Sequence, residues 1–385
     1  MARTLTSRVR RALDHDVSAT VSIGTGVLAA LAWSAVGASS YQRIIDTASR
    51  NHLLRETSID SIHSFVVNAM MTIFFFAIGL ELSRELRSGA LTKASLAVPP
   101  VLGALGGMLV TALLSLIIGL ATHSSALRRG WGVPMATDIA LTLGVLALAG
   151  RRLPSQIRVF LITLAVADDA FSIIILALTG ATNVRLTGLV ALCLTVGLGI
   201  WISKSTKQIG WNLVLLAVLW ACFVWANVEP PLAGVIGGLL IPFGSRSALH
   251  LERSMRRWST GLVLPLFALV SCGIRWGQLS FHSGTLTIVL ALIVIRILGK
   301  VVGISGGVGV ARLIRFPLHM SITWRLLASV SVLCATGFTV PLLFAGALFG
   351  ARSATYGAIT MGLVAASLVA IVLGVLLLRL QTRAS

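Results

Sequence analysis

Acid is scarce in this sequence. Its 385 residues include 12 Asp and Glu against 31 Lys and Arg, and charged residues of every kind make up only 11%. A soluble domain carries roughly 25%, so there is too little charge here to keep a globular surface wet. Cysteine is also scarce. Cys193, Cys222, Cys272 and Cys334 stand singly in or beside apolar runs with no CxxC, and are expected to pack as small hydrophobes rather than form a disulfide framework. The seven histidines are scattered without metal-ligand spacing, which argues against a transition-metal site. No phosphate-binding glycine motif is present, and the expectation is of no resident cofactor.

What fills the chain instead is apolar sequence, 56% by residue count with a mean hydropathy of +0.95. Candidate spans recur at 17–38, 64–83, 94–120, 131–149, 156–180, 186–202, 211–228, 231–243, 259–274, 285–310, 326–349 and 356–379. A helix needs about 20 apolar residues to cross a bilayer, so most qualify, the run 231–243 being short. This composition predicts an all-α, multi-span membrane protein. The first run exceeds the ~7–15 residues of a signal-peptide core and is expected to stay as the first span.

Lysine and arginine orient the spans. With the N-terminus cytoplasmic, 21 of these residues fall on the inside, 8 fall outside and two lie within a span. Both termini are therefore expected in the cytoplasm, with tails 1–16 and 381–385 flanking one membrane domain, 17–380, in the plasma membrane. The formal charge of +19 is spread over many short inside loops. That distribution excludes the nucleic-acid partner a basic protein otherwise suggests, and leaves membrane lipid.

Most of the acids lie in tails, loops or span ends; Glu81 and Glu85 mark the inside end of the second span, and Glu252 is cytoplasmic. Only Asp138, Asp168 and Asp169 fall within spans. An ionised side chain at mid-membrane costs about 2.5–3.5 kcal/mol, and such groups mark ion pathways. Asp168 and Asp169, in "LAVADDAFSIII", sit about 100° apart around a helix, so one can face a cavity while the other faces a neighbouring helix. Two close carboxylates resist joint ionisation, and a bound cation reverses that preference. Competition between cation and proton at one pair is a mechanism for exchange. A purely structural hydrogen-bonded acid cluster is the plainer alternative.

Asp138 follows Thr137 in "GVPMATDIALTLG", where Pro134 cannot close the helical ladder. "CATGFTVPLLFAG", with Thr336, Gly337 and Pro341, interrupts a late span in the same way. Paired interruptions of this kind indicate inverted repeats around a midplane site. In "IVIRILGKVVGISGG", Arg296 and Lys300 share a helix face. Lys300 needs an acid partner, Asp168 or Asp169, or a deprotonated state, unless it snorkels to an interface. Gly303, Gly306, Gly307 and Gly309 are expected to permit close helix packing.

At these residues the chain resembles the NhaA family of sodium/proton antiporters. "FFFAIGLELSREL", "GVPMATDIALTLGVLAL", "VFLITLAVADDAFSIII", "LAGVIGGLLIP", "LPLFA", "LGKVVGI" and "TGFT" occur in the family's order. The resemblance implies about twelve transmembrane helices, inverted repeats at roughly 94–180 and 285–379, and two broken helices crossing at the site. It implies exchange of cytoplasmic Na+ or Li+ for external protons, electrogenic and regulating internal pH and sodium, by a protein that can form a homodimer. It makes Asp168 and Asp169 the ion and proton carriers, with Thr137 and Asp138 supporting the broken helix. Lys300 becomes their charge partner, and Glu81, Glu85 and Glu252 belong to the pH response. Four departures stand out: Arg296 where the pattern is apolar, Pro341 after "TGFT", "EPPLAGV" in place of a turn that often holds histidine, and Arg253 and Arg256 around Glu252. An intramembrane aspartyl protease would need Tyr-Asp and Gly-x-Gly-Asp, neither of which occurs. A sodium-coupled solute symporter of similar fold and a non-transporting scaffold are the remaining alternatives.

Overall fold

The computed structural model describes residues 2–47, 59–148, 155–179, 184–205, 209–242, 246–278, 283–320 and 322–383. Of the arginines and lysines used above to orient the chain, Arg50, Arg55, Arg151, Arg152 and Lys207 lie outside them.

The described residues form helices joined by turns and irregular stretches, without a strand. In chain order the helices are α1 (Ala2–Val36), α2 (Ala38–Asp46), α3 (Ile62–Ser88), α4 (Ala94–Ala121), α5 (Ser125–Arg129), α6 (Ile139–Leu148), α7 (Ser155–Thr179) and α8 (Leu186–Ser205). There follow α9 (Ile209–Ala226), α10 (Leu232–Leu240), α11 (Arg246–Trp258), α12 (Leu264–Ser271), α13 (Ser283–Leu313), α14 (Trp324–Leu333), α15 (Thr339–Phe349) and α16 (Ala354–Arg383). Seven contain a stretch long and apolar enough to cross a membrane, in α1, α3, α4, α7, α8, α13 and α16.

The shorter helices show where sequence and structure part. The run 131–149 holds only the ten residues of α6, and 326–349 divides into α14 and α15 of ten and eleven. At 1.5 Å per residue each covers about 15 Å, half of a ~30 Å hydrocarbon core. The run 231–243 yields the nine-residue α10, and 259–274 continues α11 through a widened turn at Ser259–Val263 into α12.

The chain forms two compact units. The first comprises Met1–Thr25, Lys93–Ser172 and Ile274–Ser385; the second comprises Gly26–Thr92 and Ile173–Gly273. The first is built on α4 against α13, which approach closely enough to need glycine. A Cβ on Gly303 would run into the Gly106 carbonyl, and one on Gly307 into the Leu102 carbonyl. The packing expected of this glycine series therefore belongs to Gly303 and Gly307. Gly306 and Gly309 have nothing within 4 Å of an added Cβ, because they lie on other faces of α13. Leu161 and Leu164 of α7, Ile304 and Val308 of α13, and Leu327, Val330 and Leu333 of α14 form the core of this unit. In the second unit α3 packs on α10 and α11, with Phe76, Leu80, Ile241 and Ala248 buried together.

Of the four cysteines, none disulfide-bonded, Cys222, Cys272 and Cys334 are buried as expected of small hydrophobes, whereas Cys193 is exposed on α8.

Candidate functional site

Two interruptions of the helical ladder, both in the first unit, make the site. After α5 the chain turns through Gly130–Met135, passes through 136–138 without regular structure, and resumes as α6. Asp138 begins that helix: its carbonyl accepts from Thr142 N–H at 3.0 Å, and its carboxylate accepts from the Ala140 and Leu141 amides. It is an N-cap, supplying an acceptor to amides that have none within the helix. The second interruption follows α14, where Gly337 takes φ +154°, a conformation side chains disfavour. Pro341 falls in the first turn of α15, where an amide has no intrahelical acceptor. A proline there forfeits no hydrogen bond, which explains how this departure is tolerated.

The two breaks are bonded to each other. Asp138 N–H donates to the Thr336 carbonyl at 3.0 Å, and the Thr137 hydroxyl donates to the Cys334 carbonyl at 2.9 Å. The Thr142 and Thr336 hydroxyls are 3.1 Å apart. The Thr339 hydroxyl donates to Asp138 Oδ2 at 3.1 Å, so this carboxylate stands at the start of both α6 and α15. A negative charge there opposes the positive ends of both helices.

Asp168, from the middle of α7, reaches this crossing fully buried. Its Oδ2 accepts the Thr137 amide at 2.6 Å, and Lys300 Nζ of α13 lies 3.1 and 3.3 Å from its two oxygens. Lys300, itself 1% exposed, is therefore no snorkelling lysine, and of its two candidate partners it takes Asp168. Asp169 is half-buried on an adjacent face of α7.

Arg296, one turn before Lys300, is fully buried as well. Its Nε donates to the Ala335 carbonyl at 2.8 Å and its Nη2 to the Ala136 carbonyl at 3.2 Å, one acceptor in each break. Its charge acts on both Asp168 and Asp138. Sequence reasoning missed these contacts, along with the roles of Thr142, Thr336 and Thr339. The threonines left a trace in their clustering around each break, but Arg296 had no such signal, since its partners are backbone atoms.

Glu81, Glu85 and Glu252 gather separately, in the second unit. Arg84 lies 3.6, 3.1 and 2.9 Å from them respectively, and Arg256 Nη2 lies 2.6 Å from Glu81. Glu85 also accepts the Ala90 amide at 2.8 Å. Burial pushes the Glu252 carboxyl above its ordinary range; Arg84 opposes this, Glu81 adds to it, and to a smaller extent Arg256 opposes it and Glu85 adds to it.

Residues 10–378 match the profile of a family described as Na+/H+ antiporter 1. The chain belongs to that family. Individual antiporters of the family bear this out. The Na(+)/H(+) antiporter NhaA of Proteus mirabilis (strain HI4320) is 36% identical over 327 residues, covering 82% of this chain and 81% of the relative. That of Aeromonas salmonicida (strain A449) is 32% identical over 376 residues, covering 94% and 93%. Na(+)/H(+) antiporter NhaA 1 of Kineococcus radiotolerans is 33% identical over 374 residues, covering 92% and 85%. The motifs that resembled NhaA thus extend into likeness along nearly the whole antiporter chain, and its relatives are transporters rather than enzymes. With its long apolar helices, the chain is a multi-pass inner-membrane Na+/H+ antiporter.

Proposed function

We propose that this Na+/H+ antiporter carries its two substrates in turn on Asp168 and Asp169, exporting cytoplasmic Na+ or Li+ against entering protons. The observation that carries the reading is the buried Asp168 carboxylate, held by Lys300 and the Thr137 amide where two helix breaks meet. Its oxygens are already engaged, so Na+ gains Asp168 only by displacing the Lys300 ammonium. A cation-free site then holds one proton on Asp169 and one in the Asp168–Lys300 pair. Arrival of Na+ expels both, and the two carrying states differ by one positive charge.

On this account exchange is electrogenic and serves to regulate internal pH and sodium. Asp138 caps the positive ends at the crossing, Thr137 positions Asp168, and Lys300 is the competitor that Na+ replaces. Glu81, Glu85 and Glu252 adjust activity to pH. The architecture that suits this cycle is about twelve spans with inverted repeats at 94–180 and 285–379, both termini cytoplasmic; a terminal tag reached from outside intact cells would contradict that orientation. Membership of an antiporter family speaks against the solute-symporter alternative.

The test is purified protein in liposomes containing a pH dye, challenged with Na+, Li+ and K+ with and without an imposed membrane potential. Proton movement driven by Na+ or Li+ and accelerated by potential is expected. A rate and gradient endpoint indifferent to potential would leave one-for-one exchange.

A further inference from the structure

We infer that Arg296 is a positioning residue for sodium binding, acting on Asp168 through the peptide unit that joins Ala136 to Thr137. That unit is planar and trans, so its carbonyl and its amide point in opposite directions and turn together. Arg296 Nη2 holds the carbonyl of Ala136 at 3.2 Å, while the amide of Thr137 holds Asp168 Oδ2 at 2.6 Å. The peptide unit is thus clamped between guanidinium and carboxylate. It lies in the irregular stretch 136–138, where no helical ladder fixes its orientation.

The guanidinium is itself anchored. Its Nε donates to Ala335 O at 2.8 Å, and its planar fork fixes the direction of Nη2 once Nε is placed. One side chain thereby bridges the two breaks and sets the tilt of the peptide that presents an amide to Asp168. Both carbonyls belong to buried residues, so losing their donor leaves a buried acceptor unmet. Arg296 Nη1 is buried without a hydrogen-bond partner among the described residues, so the side chain is held by its other two donors. Charge alone does not reproduce this arrangement. A lysine at 296 carries the same charge on a single head without the fork.

The inference rests on Asp168 being a carrier, and its test is arranged to separate the two ideas. Na+-driven proton movement is measured in liposomes for the wild type, Arg296→Lys, Arg296→Met and Asp168→Asn, with the Na+ KM and maximal rate read separately. A positioning role predicts a Na+ KM raised about tenfold or more in both Arg296 variants, the expected scale for losing a charge-assisted hydrogen bond. A merely structural role lowers the number of active molecules, which reduces maximal rate and leaves KM in place. If Arg296→Met does not insert, Arg296→Lys decides alone. A wild-type KM in Arg296→Lys overturns the inference. Near-normal exchange in Asp168→Asn sinks the carrier reading and the inference with it; loss of exchange there, with KM unchanged in Arg296→Lys, overturns the inference alone.

Discussion

The protein holds two clusters of acids and bases that share a vocabulary but not an environment. In the first unit Asp168 and Lys300 pair with side chains 0% and 1% exposed. In the second, Arg84 and Arg256 meet Glu81 with side chains 32%, 46% and 18% exposed. Coulomb energy scales inversely with the local dielectric, so similar distances mean different energies. Around Arg84, water and salt screen the charges and can replace a lost partner. Around Lys300 nothing replaces one, and every charge must be answered by another charge, an amide or a carbonyl. A partly exposed cluster can therefore adjust gradually as groups titrate. The buried pair can change only by exchanging one cation for another, which is what the proposed cycle asks of it.

Substitutions ranked by effect would sharpen or break this contrast. Asp168→Asn and Asp169→Asn should each abolish or severely impair Na+-driven proton release while leaving the protein inserted, since an amide keeps the shape but neither ionises nor carries a proton. Dye-loaded liposomes measure it, and near-normal exchange in either variant would remove the carrier reading. Lys300→Leu comes next, because it leaves Asp168 without its ammonium. Breaking a buried pair costs about 3–5 kcal/mol, so the thermal midpoint in detergent should fall by many degrees.

In the partly exposed cluster around Arg84 the effects should be smaller. The Glu252 carboxyl holds its proton more tightly in the folded protein than the ordinary value near 4.3 allows. Its contribution to stability is therefore fully present below that ordinary value and is lost as pH rises through the raised one. Thermal unfolding measured from acid to neutral pH should show Glu252→Gln varying less than the wild type, and equal slopes would contradict this. The smallest effect belongs to Arg256→Ala. Its bridge to Glu81 is exposed, worth about 0.2–1 kcal/mol and reduced by salt. A loss as large as that of Lys300→Leu would erase the distinction between the clusters.

Much of the buried site was legible because membranes make charge expensive. Asp138, Asp168, Asp169 and Lys300 stood out as ionisable residues in apolar runs, and Pro134 and Gly337 marked where the ladder would fail. The choice of Asp168 over Asp169 for Lys300 was not legible, since it depends on the rotation of α13 against α7, and a step of one residue turns a side chain by about 100°. Arg296 was visible as a charge, but its partners are carbonyls of Ala136 and Ala335, and every residue has a carbonyl. Gly303 and Gly307 could not be separated from Gly306 and Gly309 without knowing which face of α13 meets α4. In the exposed cluster, Glu81 and Glu85 were read as neighbours on one helix. That Arg84 between them also reaches Glu252 required the fold of the second unit.

The central claim is that Asp169 and the buried Asp168–Lys300 pair together hold either two protons or one Na+. Calorimetric titration of the purified wild type with Na+, in buffers of different ionisation enthalpy, counts the protons released as Na+ binds. Release of more than one proton per Na+, vanishing in Asp168→Asn, is the predicted result; binding of Na+ with no proton release would contradict it.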